Sequence, residues 1–147
     1  MRMQHYVIAV LAAVVLGGCL ANTQQVRGKL GVPFALKPGQ TAVVENLQVT
    51  FDEVIQDSRC PQGVDCWWIG EVNALFTLKL GSKQETIGLG TIVKFPRDVE
   101  NHSIKGTNYT FAGYKLAFLS AQPPKGPLET EIPRQDYELT LQVDKAN

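Results

Sequence analysis

The chain has 147 residues, with 14 Lys and Arg against 14 Asp and Glu, so it is formally neutral. Its charges are scattered and form no basic stripe, which excludes nucleic acid as an expected partner. One stretch is apolar enough to meet a membrane, and it lies at the very start.

That stretch, MRMQHYVIAVLAAVVLGGC, opens with Arg2, continues as an unbroken apolar run from Tyr6 to Leu16 and ends in two glycines and Cys19. A helix that spans a bilayer takes roughly 20 apolar residues. The run is too short for that and has the layout of a secretory signal peptide. Leu16-Gly17-Gly18-Cys19 resembles the lipobox of bacterial lipoproteins. There, a leucine and two small residues precede the cysteine that is lipidated and becomes the new N-terminus. Small residues let the peptidase close around the chain, and the thiol is the attachment point for diacylglycerol. The resemblance implies a signal peptide over 1–18 and a lipid on Cys19; the small, polar residues that follow read as a tether over 19–30, and the remaining length fits a single domain over 31–147. The resemblance also makes the membrane a partner, through the acyl anchor on Cys19. Leu20 supplies no inner-membrane retention aspartate. In a Gram-negative cell the expected location is therefore the periplasmic face of the outer membrane, and otherwise the cell surface.

Past the tether, the sequence reads as strands. Leu47, Val49 and Phe51 open one whose phase slips before Val54-Ile55, as at a bulge. From Glu71 to Leu80, Val72, Ala74, Phe76, Leu78 and Leu80 alternate with polar residues, Leu75 excepted, which is the mark of a half-buried strand. Gly81-Ser82 predicts a tight turn into a partner near Glu85 to Leu89. Tyr109 and Phe111 lie on one phase and Tyr114, Leu116 and Phe118 on the other, a second slip around Ala112-Gly113. The segment AQPPKGPLETEIP carries Pro123, Pro124, Pro127 and Pro133, which lack ladder donors. It reads as an extended connection between the last two strands, crossing one end of a sandwich. Tyr137, Leu139, Leu141 and Val143 alternate with Glu138, Thr140 and Gln142 in the final strand. No helical stripe interrupts this pattern. The expected fold is all-β, an antiparallel Ig-like β-sandwich.

The densest chemistry lies in DSRCPQGVDCWWIGE, residues 57–71. With Cys19 set aside, Cys60 and Cys66 form an even pair in an exported chain, for which a disulfide is the default. Such a short loop gives a stabilisation of roughly 2 to 2.5 kcal/mol in the chain-entropy account. A zinc site takes four ligands with closer cysteines. Here the spacing is C-x5-C, and His102 is the one histidine beyond the leader. A thiol redox pair prefers C-x-x-C. No metal is expected. Arg59 and Glu71 flank the staple and are expected to pair across its base, with ligand contact as the alternative. Trp67 and Trp68 are adjacent, so extended backbone sends them to opposite sides. Trp68 shares the parity of Val72 and Ala74 and is assigned to the core, leaving Trp67 outward as a contact residue. The candidate binding residues are thus Arg59, Trp67, Trp68 and Glu71. The stretch resembles a motif of small bacterial lipoproteins and secreted proteins of unknown function. It is carried here by Ser58, Arg59, Cys60, Pro61, Gly63, Val64, Cys66, Trp68, Gly70 and Glu71. The strand LQVTFDEVIQ before it, and the Pro-rich loop leading to a Tyr-led last strand, fit the same pattern. The resemblance implies export and a β topology and carries no activity.

Nothing else in the chain has the spacing of a reaction centre. Asp52, Glu53, Asp57, Asp65 and Glu71 cluster loosely without the D-x-D-x-D order of a calcium loop. His102 and Ser103 are adjacent, which does not suit a base and its nucleophile. There is no G-x-S-x-G elbow, and Gly88-x-Gly90 lacks the following helix that a phosphate site needs. The chain is expected to be no enzyme and to need no cofactor. It reads as a binding module that shows its stapled loop to an envelope protein partner. An inhibitor or accessory subunit whose loop plugs a cleft is the alternative, and a purely structural lipoprotein the third.

Overall fold

Alternation of apolar and polar side chains, set by the two-residue period of extended backbone, builds the sheets of this structure. The computed structural model describes residues 24–92, 96–127 and 130–147; the expected signal peptide and Cys19 lie outside the described residues. In chain order the strands are β1 (Gln25–Gly28), β2 (Phe34–Leu36), β3 (Thr41–Val44), β4 (Leu47–Asp57), β5 (Val72–Leu80) and β6 (Lys83–Gly90). They continue with β7 (Arg97–Val99), β8 (His102–Ile104), β9 (Asn108–Phe111), β10 (Tyr114–Gln122) and β11 (Glu138–Lys145). A 3-10 turn at Arg134–Asp136 precedes β11.

Two sheets form a sandwich, as expected. The larger runs β1-β3-β4-β5-β6-β8-β7 and the smaller β2-β11-β10-β9. Pairing is antiparallel except for β1 with β3 and β6 with β8. Phe51, Phe76, Leu78 and Leu89 of the larger sheet meet Leu36, Leu116, Phe118, Leu139 and Leu141 of the smaller in one buried core. Phe76 and Phe118 touch edge to face across the layers, with ring centroids 5.7 Å apart. Each such side chain contributes about 1.5 to 3 kcal/mol by leaving water. A smaller cluster of Val99, Ile104 and Ile55 packs separately, beneath the β7–β8 hairpin.

Three details depart from the sequence reading. The expected tether ran to residue 30, but Gln25–Gly28 pairs in parallel with β3, Gln25 opposite Thr41, so the sheet begins inside it. The slip at Ala112-Gly113 is a two-residue hairpin turn joining β9 to β10. Both turn residues have positive φ, 49° and 84°, the conformation of the primed turns that match strand twist. The Pro-rich segment joins β10 to β11, which are neighbours in one sheet. It leaves that sheet, contacts the end of β4 in the other, and returns.

The slip in β4 is a bulge, as expected, and there are two: register shifts against β5 fall between Phe51 and Glu53 and between Val54 and Gln56. Two single-residue shifts restore the original phase. Phe51 and Asp57 therefore both face the inside of the sandwich, opposite Phe76 and Val72. A carboxylate is thus aimed inward at the open end of the sandwich.

Candidate functional site

The motif loop connects β4 to β5 at that end. Its two arms are stitched by backbone and hydroxyl bonds. Ser58 N–H donates to the Glu71 carbonyl at 2.9 Å, and the Ser58 hydroxyl accepts from Glu71 N–H at 3.1 Å. Gly70 is required where the arms meet, because a Cβ there would collide with the Ser58 carbonyl oxygen and the Arg59 Cα. Cys60 and Cys66 form the expected disulfide, with Cα atoms 5.9 Å apart.

Asp57 anchors the loop. Arg59 grips its carboxylate at both oxygens, Nε to Oδ1 at 2.9 Å and Nη2 to Oδ2 at 2.7 Å, while the Arg59 backbone N–H also donates to Oδ1. The Tyr137 hydroxyl donates to Oδ2 at 2.9 Å from the opposite sheet. Arg59 Nη1 then donates to the Ala121 carbonyl, and Lys125 Nζ to the Asp57 carbonyl at 2.8 Å. Gln62 N–H reaches the Gly126 carbonyl. The Asp57 side chain is only 8 % exposed. Burial pushes its carboxyl up, but the bonds and charge of Arg59, with the Tyr137 hydroxyl, outweigh it and leave the group below its ordinary value. Burial, reinforced by the bond to Asp57, pushes the Tyr137 phenol up to about 12. The knot ties both sheets and the Pro-rich segment to the base of the loop.

The expected Arg59–Glu71 pair does not form. Glu71 precedes Val72, whose side chain faces the core, so Glu71 lies on the outer face of the sheet, away from Asp57 and Arg59. It pairs there with Arg97 of β7 and accepts from Asn73 Nδ2. Asn73 Nδ2 also reaches Gln56.

The tryptophans depart from their assignments in part. Trp67 is 92 % exposed, in keeping with an outward residue, but Trp68 is 43 % exposed and not in the core. Residues 65–71 are not a strand, so the parity of β5 does not reach back to Trp68. Its indole N–H donates to the Ser58 carbonyl at 3.0 Å, and its ring meets Trp67 edge to face, with centroids 5.6 Å apart. Ile69 follows, 85 % exposed. Of the candidate residues, the structure brings Arg59 and Trp68 to the loop base, sets Trp67 at the tip and places Glu71 on another face.

Sequence reasoning missed Asp57, Lys125 and Tyr137 as partners of the motif. The Tyr-led last strand carried a signal, since Tyr137 shares the phase of Leu139 and Leu141 and so had to point inward. Beside the knot, a cavity of about 380 Å³ opens between β4 and the Pro-rich segment, lined by Val54, Gln56, Asp57, Lys125, Arg134 and Tyr137 among others. Among the described residues, no group of three or more His, Cys, Asp or Glu side chains is placed to hold a metal ion. Comparison of the chain with family models, with curated proteins and with solved structures finds no match in any of the three.

Proposed function

We propose that this chain is a lipid-anchored cell-envelope protein with no catalytic activity of its own. It is held by acyl chains on Cys19 and uses the stapled loop as its binding element. The lipobox resemblance supports the anchor. The observation that carries the binding role is the contrast within one loop. Its base is fixed by the disulfide, the Asp57–Arg59 grip and the Trp68 bond to Ser58, while Trp67 and Ile69 at its tip are almost wholly exposed. A rigid loop loses little conformational freedom on docking, and exposed tryptophan is the residue type most often found to dominate contact energy. The same rigidity suits an inhibitor whose loop enters a partner's cleft, the second reading.

In-cell crosslinking from positions 62 to 69, followed by mass spectrometry without reductant, tests this reading. Reproducible capture of one envelope component through an oxidised Cys60–Cys66 loop is the expected result. Capture only through other faces of the domain refutes it. Incorporation of labelled lipid that survives Cys19→Ala refutes the anchor.

A further inference from the structure

We infer that the loop tip contacts the lipid bilayer itself, as a second, peripheral contact that sets the domain upright beside its own anchor. This rests on the lipoprotein reading above. Six large apolar side chains are exposed among the described residues, and four of them, Trp67, Trp68, Ile69 and Ile92, lie at one end of the sandwich. Ile92 belongs there because its neighbour Thr91 bonds Val72 in both directions, N–H to carbonyl and hydroxyl from N–H.

The tether leaves from the same side. β1 runs parallel to β3, with Gln25 opposite Thr41, and Thr41 lies opposite Thr50 of β4. Since β4 climbs from Thr50 to Asp57, the chain before Gln25 departs toward the motif end. Gln24 is held on that side by a bond from Gln40 Nε2 to its Oε1. From Thr50 to Asp57 the partners on β5 step from Thr77 to Val72, a rise of about 17 Å at strand spacing. The chain between Gln25 and Cys19 reaches at most about 20 Å when extended. The reach of the anchor and the height of the rim therefore match, and acyl chains on Cys19 bring the tip to the membrane plane.

The chemistry of the tip suits that plane. Tryptophan favours the boundary between headgroups and acyl chains, where its ring is apolar and its N–H stays paired or wet. The charges at the base are neutralised within the fold, Asp57 by Arg59 and Glu71 by Arg97, so approach to lipid strands neither. Asp65 is exposed on the loop, which limits insertion to the headgroup layer. The staple keeps the tip formed before contact, so insertion carries little ordering cost.

The chain holds two tryptophans, Trp67 at the tip and Trp68 at the base of the same loop, so its intrinsic fluorescence reads this loop alone. The test uses full-length lipidated protein in vesicles of phosphatidylethanolamine and phosphatidylglycerol, with and without brominated acyl chains. Mass spectrometry of the N-terminal peptide is run first. Emission should move to shorter wavelength on reconstitution and fall roughly twofold with brominated lipid, as expected for rings within about 5 to 10 Å of the acyl boundary. Trp68→Phe, which leaves Trp67 as the reporter, should show larger quenching than Trp67→Phe, which leaves Trp68. An acylated protein whose tryptophans ignore brominated lipid overturns the inference and leaves the lipoprotein reading intact. Shielding that appears only in native envelope membranes, and never in pure lipid, overturns it in favour of a protein partner. An unmodified Cys19 overturns the anchor and this inference together.

Discussion

Replacing Arg59 by alanine tests the central knot. The substitution removes two side-chain bonds to Asp57 and one to the Ala121 carbonyl, and keeps the bond that the backbone N–H of position 59 donates to Asp57 Oδ1. It leaves a carboxylate that is 8 % exposed in the wild type facing the Tyr137 hydroxyl without its guanidinium partner. Breaking a buried pair from one side costs about 3 to 5 kcal/mol. Arg59 keeps 19 % of its side chain in water, so we expect the lower end, about 3 kcal/mol at neutral pH. The pH dependence separates this cause from lost packing. In the native protein the Asp57 carboxyl lies below its ordinary value, and the unfolded value is about 3.9. The knot's contribution is therefore fully present above the unfolded value and is lost as pH falls through the folded one. Without the Arg59 side chain, burial is opposed only by the backbone N–H of position 59 and the Tyr137 hydroxyl, and the carboxyl is lifted from its wild-type value. The residual burden is then absent at low pH and grows as pH rises through that lifted value. The deficit of Arg59→Ala against wild type should accordingly shrink toward about 1 kcal/mol as pH falls through the folded value, below which only hydrogen bonds and packing differ. Urea unfolding over a pH series from neutral into the acid range, followed by far-UV circular dichroism and tryptophan emission, measures it. An equal deficit at neutral and acid pH would refute the charge-burial account.

Cys60→Ser with Cys66→Ser should lower stability by about 2 to 2.5 kcal/mol, read as a lower melting temperature that reductant reproduces in the wild type. Gly70→Ala should cost about 1 to 3 kcal/mol by forcing the loop arms apart, and should release Trp68 from Ser58, seen as greater acrylamide quenching. Ala112→Asn should raise stability by about 1 kcal/mol, because Ala112 sits at φ 49° in a turn that favours Asn-Gly; an unchanged or lower midpoint in urea would count against that turn.

The strands were legible because burial on one face writes a period of two into the sequence, and β5, β10 and β11 carry it cleanly. The β5–β6 turn was legible because Gly81, at φ 60°, occupies a position that favours glycine. The Ala112-Gly113 slip was ambiguous in principle. Phe111 and Tyr114 are opposite each other across the hairpin and three apart in sequence, which shifts parity as a bulge does. β1 was hidden because an edge strand with half-exposed Val26 and Gly28 has no apolar face to show. At the motif, residue types pointed to the loop and its disulfide, but the ion pairs depended on which face each carboxylate occupies. That follows from two bulges in β4 and from the phase of Val72, which only the paired sheet reveals.

Once those pairings are known, the stretch 57–71 divides into two kinds of residue. Ser58, Arg59, Cys60, Cys66 and Gly70 have structural explanations: they join the arms, hold Asp57 or permit close approach. Glu71 is accounted for by Arg97 and Asn73, and Trp68 in part by Ser58. Trp67 and Ile69 have no such account, since folding buries almost none of their apolar surface. Ordering a loop costs about 1 to 2 kcal/mol per residue in backbone freedom, and here the order is imposed by a disulfide, a bidentate ion pair and a bond from the opposite sheet. A loop needed only to join β4 to β5 would be served by a short polar turn. So much constraint around a tip that contributes nothing to the core is understandable if the tip is to be presented in one orientation, and that is the physical ground for the proposal that locates binding at Trp67 and Ile69 rather than at the charged residues beneath them.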